Sequence, residues 1–301
     1  MLEKSLQELS DHPDYQVLKR VPVNFPESAE TQNRTFVATV IDLETMGLDA
    51  TQDEIIEIGL LSFMFSKEDG ILAITNTYTE LHDPGKPIPA EITKVTGIRD
   101  EDVKGKAIDW DVVVKALQST HFVICHNSRF DRNFLELQTP EPIQDVVKNL
   151  PFACTIQDIN WSERGFESTK LDYLNWKLGY FYDGHQALND CWATLNLLIQ
   201  EQGAFDELKH GIRKKQTLIC AENAPFSKKD LLKARKYRWS DGAGSLPKCW
   251  WSMIDNVVFD EEKAWLDAEI YGRTGKSDTL PQQEITAKSR YSLRSECLQF
   301  S

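Results

Sequence analysis

The chain has 301 residues, of which 41% are hydrophobic, and it carries a formal net charge of −13 at pH 7. This length suits one large domain with a smaller one, and the composition can fill a packed core. No run approaches the roughly 18 apolar residues of a membrane-spanning helix. The first residues also lack the apolar segment of a signal peptide, so we expect a cytoplasmic protein without membrane association. The acidic total argues against a protein covered with nucleic-acid-binding surface.

The six cysteines are scattered along the chain and form no CxxC pair. In a reducing compartment such cysteines are free thiols that fill core or surface positions. Their spacing also gives no basis for a structural zinc site.

Charge is distributed unevenly along the chain. Residues 1–204 carry a net charge of −16, residues 205–250 a net charge of +6 and residues 251–301 a net charge of −3. This asymmetry fits an acidic metal site next to a phosphate-binding module. The alternative is a pair of ordinary solvated surfaces of opposite sign.

Residues 1–34 are predicted to form an N-terminal extension, in which leucines at helical spacing precede a connector that contains Pro and Ser. No chemistry is expected there. Apolar runs that begin near Phe36, Glu54 and Ile71 then predict an antiparallel meander of strands. Helices and strands alternate after the meander, so residues 35–204 predict an α/β domain with a mixed sheet.

The composition changes after this domain. A strand, a helix with an S-x-x-D capping box at Ser227–Asp230, a hairpin and a closing helix predict a small basic α+β domain over residues 205–272. Residues 273–301 are polar and lack clear periodicity, which predicts a loosely ordered tail.

The most informative stretch is Phe36–Gly47, where the apolar run Val37–Ile41 ends at Asp42 and Glu44 follows. Successive strand side chains alternate faces, so the two carboxylates point to the same side. Carboxylates placed side by side at the end of a buried strand repel each other and are costly to desolvate unless a cation lies between them. Hard oxygen ligands of this kind favour Mg²⁺ or Mn²⁺.

Three further residues of suitable chemistry lie at the ends of predicted elements. Asp131 lies where a buried strand over residues 122–125 gives way to a helix. His185 precedes a long predicted helix over residues 186–202, and Asp190 lies inside that helix, a little over one turn later. His185 can then lean over a pocket while Asp190 reaches the metal.

These residues belong to three motifs of one known family. D-x-E-T-x-G runs from Asp42 to Gly47, H-N-x-x-F-D from His126 to Asp131, and H-x₄-D from His185 to Asp190. The connecting pattern I-P-…-G-I-x-D-E runs from Ile88 to Glu101. In this order, the chain over residues 35–203 resembles the DEDDh, or DnaQ-like, 3′–5′ exonucleases. That family includes the proofreading subunit of bacterial replicative polymerase, RNase T and oligoribonuclease.

The resemblance implies a ribonuclease H-like mixed sheet flanked by helices, and a two-metal hydrolysis that releases nucleoside 5′-monophosphates. Two Mg²⁺ or Mn²⁺ ions would be held by the carboxylates Asp42, Glu44, Asp131 and Asp190. His185 would take the proton from the attacking water, since histidine as a residue type titrates near neutral pH. The terminal nucleotide would be bound by Thr45, Met46, Gly47, Thr96 and Phe130.

Plainer structural alternatives exist for several of these residues. Asp131 could be a helix N-cap, Met46 could be a core residue, and His126 is predicted to be a structural hydrogen-bonding residue. The chain departs from the family pattern at Met46, Thr96 and Cys154. These departures remove no predicted metal ligand, so they bear on substrate preference.

The basic region over residues 205–250 interleaves lysine and arginine with Tyr237, Trp239, Trp250 and Trp251. Basic side chains neutralise phosphates and aromatic rings stack on unpaired bases, so one hypothesis is that this region binds the substrate strand or a flanking duplex. The alternative is that the tryptophans form the core of a small domain and the lysines its solvated face.

The sequence therefore predicts a metal-dependent 3′–5′ exonuclease that acts on single-stranded DNA ends, with nucleic acid as its partner. A 3′–5′ exoribonuclease of the RNase T or oligoribonuclease type is an alternative, since it would share this site and differ in its treatment of the 2′-hydroxyl. A further alternative is a non-catalytic nucleic-acid-binding or polymerase-tethering protein on the same fold. The complete set of carboxylates and histidine argues against that alternative.

Overall fold

The computed structural model describes residues 2–25 and 30–296 and divides the chain into two compact units, residues 1–211 and residues 212–301. The predicted extension and tail therefore lie partly outside the described residues, and Cys297 lies wholly outside them. The predicted domain bounds after residues 34, 204 and 272 stay predictions.

The first unit begins with helix α1 (Leu2–Ser10) and the short strand β1 (Lys19–Arg20). Three long strands follow in series, β2 (Thr35–Thr45), β3 (Ile55–Ser66) and β4 (Gly70–Leu81). β2 pairs with β3 and β3 pairs with β4, both in antiparallel orientation. The predicted meander is confirmed.

Helices and strands then alternate. In chain order they are α2 (Ala90–Thr96), α3 (Asp100–Val103), α4 (Trp110–Gln118), β5 (Phe122–Cys125), α5 (Ser128–Leu137), α6 (Glu141–Asn149), β6 (Phe152–Cys154), α7 (Leu171–Lys177), β7 (Tyr180–Phe181), α8 (Ala187–Gln200) and α9 (Ala204–Arg213). α5 begins at Ser128, three residues before the predicted transition at Asp131, and the Ser128 hydroxyl donates to the Ala153 carbonyl (2.6 Å), which ties the first turn to β6.

Strands β2 to β6 form a mixed five-stranded sheet in the order β4-β3-β2-β5-β6. β5 pairs in parallel with both β2 and β6. An antiparallel meander on one side of β2, parallel strands on the other and flanking helices make up the predicted ribonuclease H-like α/β arrangement. The fold class is confirmed, and α8 packs across β2 and β3.

The N-terminal extension contributes to this unit through β1, which pairs in parallel with β7. The Val21 amide donates to the Phe181 carbonyl (2.9 Å), and the Val21 side chain is buried. Arg20 forms an ion pair with Asp183 (2.8 Å). The extension thus contacts the segment that leads directly to His185.

The second unit contains β8 (Gln216–Ala221), α10 (Lys229–Ala234), β9 (Arg238–Ser240), β10 (Cys249–Asp255), α11 (Phe259–Trp265) and β11 (Gln282–Ile285). Its antiparallel sheet has the order β11-β8-β10-β9. The predicted strand, helix, hairpin and closing helix are confirmed. The predicted capping box at Ser227–Asp230 is wrong, because residues 226–228 form a 3₁₀ turn and α10 starts after it.

The prediction of a loosely ordered tail is wrong for the described part of that segment, residues 273–296. β11 pairs with β8, and Leu280 and Ile285 are buried. The polar composition hides this strand, since one buried apolar side chain among polar neighbours gives little periodic signal.

None of the helices within residues 2–25 and 30–296 combines the length and apolar character that crossing a membrane requires. The cysteines among these residues are all free and buried, as predicted. They are Cys125, Cys154, Cys191, Cys220 and Cys249.

Candidate active site

The end of β2 places Asp42 and Glu44 on one face of the mixed sheet. Both side chains are half-buried, while Leu43 between them points the other way and is 3% exposed. Across the antiparallel pair with β3, Asp42 lies opposite Gly59 and Glu44 lies opposite Glu57. The strand therefore presents two neighbouring carboxylates, and a third carboxylate faces them from the next strand.

Asp131 joins this group from the first turn of α5, where its side chain is 2% exposed. Its Oδ1 accepts a hydrogen bond from the Leu43 amide (3.2 Å). Because that amide lies between the two β2 carboxylates, the bond fixes Asp131 beside them.

Asp190 reaches the same place from the first turn of α8 and is 8% exposed. Its Oδ2 accepts a hydrogen bond from the His185 amide (2.8 Å). Carboxylate oxygens of Asp42, Glu44 and Asp190 all lie within 4.8 Å of one another. Side chains that are far apart in sequence thus form one acidic cluster.

Gly59 allows α8 to come this close. A Cβ atom at Gly59 would lie 2.3 Å from the Ala187 carbonyl carbon and 2.4 Å from the Leu188 amide nitrogen. Such distances are well inside van der Waals contact, so a side chain here would push the N-terminus of α8 away from the sheet. The backbone approach explains a glycine directly opposite Asp42.

A cavity of about 530 Å³ opens over this acidic cluster. Its lining includes Asp42, Glu44, Phe130, Asp131, Lys170, Tyr182, His185 and Asp190. His185 is exposed and has a φ of 61°, in the left-handed region that favours glycine. The half-buried Phe130 ring packs against Phe134, with ring centroids 4.9 Å apart.

Four residues predicted to bind the terminal nucleotide lie outside the cavity lining: Thr45, Met46, Gly47 and Thr96. The Met46 side chain is buried in a hydrophobic cluster with Ile88 and Ile98, which ties the connecting segment to the end of β2. The Thr45 hydroxyl donates to the Gly47 carbonyl (2.5 Å), and the Thr96 hydroxyl donates to the Ile92 carbonyl (3.0 Å). Nucleotide contacts of these four residues stay predictions.

Burial raises the pKa of each carboxyl in the acidic cluster. The pKa of Glu44 rises to about 8 and that of Asp131 to about 7, and the pKa values of Asp42 and Asp190 rise as well. The negative charge of a neighbouring carboxylate adds to the effect of burial for Asp42, Glu44 and Asp131. The cluster therefore resists full ionisation unless a cation compensates it.

Two residues of the site were not found from the sequence. Glu57 is a charged residue inside an apolar strand; its carboxylate accepts hydrogen bonds from the Ala187 amide (3.1 Å) and the Thr79 hydroxyl (3.3 Å). Tyr182 donates a hydrogen bond to Asp190, and burial followed by this carboxylate raises the pKa of its phenol. Glu57 could have been noticed in the sequence as a charged residue among apolar neighbours. Nothing in the sequence marked Tyr182 except that it lies three residues before His185.

His126 has the structural role predicted for it. Its Nδ1 is 2.7 Å from the Thr155 hydroxyl and its Nε2 is 2.8 Å from the Thr169 carbonyl. Burial lowers the pKa of this imidazole to about 4, so the ring is neutral near pH 7. A neutral ring with both nitrogens engaged is suited to joining loops rather than to proton transfer.

The acidic cluster meets the requirements of a divalent metal site. Its donors are oxygen atoms, those of Asp42, Glu44 and Asp190 lie within 4.8 Å of one another, and among the described residues no lysine or arginine forms an ion pair with the cluster. Hard divalent cations take such ligands. The cluster can therefore hold a metal ion.

Comparison with known proteins assigns the family. A family model for RNase T-type proteins, described as "Exonuclease", matches residues 39–198, more than half of the chain. The chain belongs to this exonuclease family. The resemblance to DnaQ-like exonucleases that the three motifs carry is confirmed.

Curated relatives of this exonuclease domain are large polymerases. DNA polymerase III of PolC type from Thermotoga petrophila is 30% identical over 180 residues, which are 59% of this chain and 12% of the relative. The PolC-type polymerase of Streptococcus thermophilus is 30% identical over 213 residues, which are 66% of this chain and 13% of the relative. The match thus spans 12–13% of the length of these relatives.

Solved structures with a similar fold are also exonucleases. Exonuclease X in complex with 5′-overhanging duplex DNA aligns with a TM-score of 0.41 and 23% identity, over 57% of this chain and 98% of that chain. E. coli exonuclease I in complex with a dA16 oligonucleotide aligns with a TM-score of 0.44 and 15% identity, over 73% of this chain and 63% of that chain.

Proposed function

We propose that this protein is a metal-dependent 3′–5′ exonuclease that releases nucleoside 5′-monophosphates from DNA 3′ ends. The observation that carries the proposal is the convergence of Asp42, Glu44, Asp131 and Asp190 beneath one cavity that His185 also lines. Membership of the exonuclease family supports the reaction class.

The acidic cluster would hold two Mg²⁺ or Mn²⁺ ions. Bound ions of this kind neutralise the carboxylates, polarise the scissile phosphate and activate water. The hydrogen bonds from Leu43 to Asp131 and from His185 to Asp190 hold two of the carboxylates in place before any ion arrives. Such preorganisation lowers the cost of assembling the site.

His185 would accept the proton of the attacking water. Its side chain is exposed at the cavity, and its amide is tied to Asp190, so the ring stands next to the acidic cluster without being part of it. A general base placed in this way typically contributes ~10²–10⁴-fold to the rate. His126 does not compete for this role, since both of its ring nitrogens are engaged.

Phe130 and Lys170 would position the substrate. Phe130 lies half-buried in the cavity wall and offers a ring face for the terminal base or sugar. Lys170 lines the same cavity and supplies a cation for a phosphate. Thr45, Met46, Gly47 and Thr96 would act through the backbone and packing around the cavity.

The deciding experiment incubates the purified protein with end-labelled DNA and RNA oligomers and Mg²⁺ or Mn²⁺. Release of 5′-mononucleotides from the 3′ end, lost in EDTA and reduced at least ~10³-fold by Asp42→Asn, supports the proposal. Faster degradation of RNA than of DNA would instead favour the exoribonuclease alternative. Activity that survives both EDTA and Asp42→Asn would refute the proposed site.

A further inference from the structure

The second unit carries a row of aromatic and basic side chains on the 3₁₀ turn over residues 226–228, on α10 and on the β9–β10 hairpin. We define the aromatic–basic row as Phe226, Lys229, Lys233, Trp250 and Trp239. The Lys229 ammonium lies 4.4 Å from the Phe226 ring centroid, and the Lys233 ammonium lies 6.0 Å from that of Trp250. Lys229 and Lys233 are one helical turn apart, so they share a face of α10.

Trp250 and Trp239 complete the row across two paired strands. They lie opposite each other in the antiparallel pair of β10 with β9, and their ring centroids are 5.4 Å apart. β9 is the edge strand of its sheet. The two indoles therefore form one surface at an open edge.

Core packing explains Trp251 and Trp265 and also holds the half-buried Trp250 against the hydrophobic core, but it does not explain the exposed end of the row. Trp251 is 6% exposed and belongs to a buried cluster, and Trp265 packs against the hydrophobic core beneath the Arg235 guanidinium. Trp239 is 49% exposed and Phe226 is 80% exposed. Large rings left this open add little to folding.

The charge around the row is strongly positive. Residues 226–239 contain six lysines and arginines and one aspartate in a chain whose net charge is −13. Arg235 forms an ion pair with Glu262 (2.6 Å), and Arg238 lies near Glu296 (3.9 Å). In the part of the chain that the structure describes, Lys229, Lys233 and Lys236 form no ion pair.

Lys236 adds a cation at a position that favours glycine. It follows α10 with a φ of 64°, in the left-handed region. A side chain is strained there, whereas glycine is not. Lys236 therefore places a cation next to α10 at a backbone position where glycine would be less strained.

From this row we infer that the second unit binds an unpaired nucleic-acid strand, with bases stacked on Trp239 and Trp250 and phosphates held by Lys229, Lys233 and Lys236. Exposed rings beside cations suit an unpaired strand, since a duplex keeps its base faces covered and an acidic peptide has no ring faces to stack. The choice of nucleic acid as the ligand class rests on the proposed function.

The test measures binding by the full chain carrying Asp42→Asn, in EDTA, so that hydrolysis plays no part. Fluorescence anisotropy follows a labelled oligothymidine of about 20 nucleotides at several salt concentrations. Trp239→Ala is expected to weaken binding about tenfold, because stacking is lost. Replacing Lys233 and Lys236 with alanine is expected to flatten the slope of log K against log salt by about 1.4, at about 0.7 for each phosphate contact.

Lys236→Gly separates binding from folding, because this variant is expected to bind more weakly although its fold is less strained. Val257→Ala and Arg273→Ala are matched controls, since both side chains are exposed on the same unit outside the row, and they should bind like the parent chain. Unchanged affinity and salt slope in the Trp239 and lysine variants would overturn the inference. The inference would also be overturned if blunt duplex DNA bound as tightly as the unpaired oligothymidine, or if polyglutamate competed as well as unlabelled oligothymidine.

The test is independent of the proposed hydrolysis. A chain that binds the oligomer through the row but degrades no substrate would leave this inference intact and refute the exonuclease. If the chain degrades short oligomers and the row variants bind like the parent, the proposed exonuclease is supported and the inference about the second unit is refuted.

Discussion

Glu262 in the second unit and Asp190 in the first are both buried carboxylates, with exposed fractions of 5% and 8%. Glu262 accepts hydrogen bonds from Arg235 (2.6 Å) and from the Tyr237 hydroxyl (3.1 Å), so its charge is compensated within the unit. Asp190 instead faces other carboxylates, and its nearest donors are an amide and a phenol.

The comparison shows that burial alone does not mark a functional carboxylate. A buried carboxylate that is paired with a basic side chain stabilises the fold. Removing either member of the pair destabilises the protein, because the remaining charge is left buried without a partner. Buried carboxylates that face one another are stable in their fully ionised form only with a cation supplied from solution. Among the residues that the structure describes, the lack of an ion pair with lysine or arginine therefore distinguishes the acidic cluster from the ion pair in the second unit.

Exchanging a carboxylate for an amide at each place gives the largest expected contrast. Asp190→Asn should lower exonuclease activity at least ~10³-fold while raising the free energy of unfolding in EDTA by roughly 1 kcal/mol, because repulsion is relieved. Glu262→Gln should leave kcat within about twofold of the parent and lower that free energy by about 1–3 kcal/mol, because Arg235 loses its partner. Denaturant unfolding and initial rates measure both. The comparison fails if the two variants change stability in the same direction.

Gly59→Ala tests the close approach of α8 to the sheet. The added methyl group would lie 2.3 Å from the Ala187 carbonyl carbon, so α8 must shift, and we expect a loss of about 2–3 kcal/mol of stability. Because Asp190 moves with the helix, activity should fall about 10²-fold more than stability alone explains. Gly244→Ala is the control, since a Cβ atom there meets open space. Equal activity in both variants would rule out this account of the site.

The stability of the metal-free protein should fall as pH rises. Carboxyls whose folded pKa is raised, to about 8 for Glu44 and about 7 for Asp131, contribute stability that is complete below their ordinary pKa near 4 and lost as pH rises through the folded values. Urea unfolding at about pH 5 and about pH 8, in EDTA and in Mg²⁺, measures this effect. Saturating Mg²⁺ should reduce the decrease in the free energy of unfolding between the two pH values. An equal decrease with and without the metal would contradict this prediction.

Glu57 is expected to have the smallest effect of these residues, because it supports α8 without belonging to the group that lies within ligand distance. Glu57→Gln keeps an acceptor for the Ala187 amide and should change kcat less than about threefold, whereas Glu57→Ala removes the acceptor and should cost about 1 kcal/mol of stability. Metal affinity measured by titration should be similar for both. A loss of metal binding in Glu57→Gln would make this residue a ligand.

The sequence was sufficient for those parts of the site that lie within contiguous motifs. Asp42 and Glu44 share a face because strand side chains alternate, and the motifs of the family resemblance pointed to Asp131, His185 and Asp190. Glu57 could not be placed, since its role depends on the register of β3 against β2. That register is a tertiary property.

The elements missed from the sequence were two helices with a clear amphipathic pattern and one strand without a pattern. α6 and α9 were not predicted, and β11 was hidden in a polar segment whose buried Ile285 acts through pairing with β8. Met46 illustrates the same limit within a motif, because its neighbours in the core come from the connecting segment. Contacts between segments that are distant in sequence decided the cases of β11 and Met46.

The pairing of β1 with β7 has a practical consequence for how short this protein can be made. The family match begins at residue 39, well after β1, yet Val21 and Arg20 hold Phe181 and Asp183 just ahead of His185. A shortened protein starting at Thr35 would keep every motif and lose this anchor, and amide hydrogen exchange over residues 179–185 should then quicken. We therefore expect the order of residues 179–185 to depend on residues 19–21, which the family match does not cover.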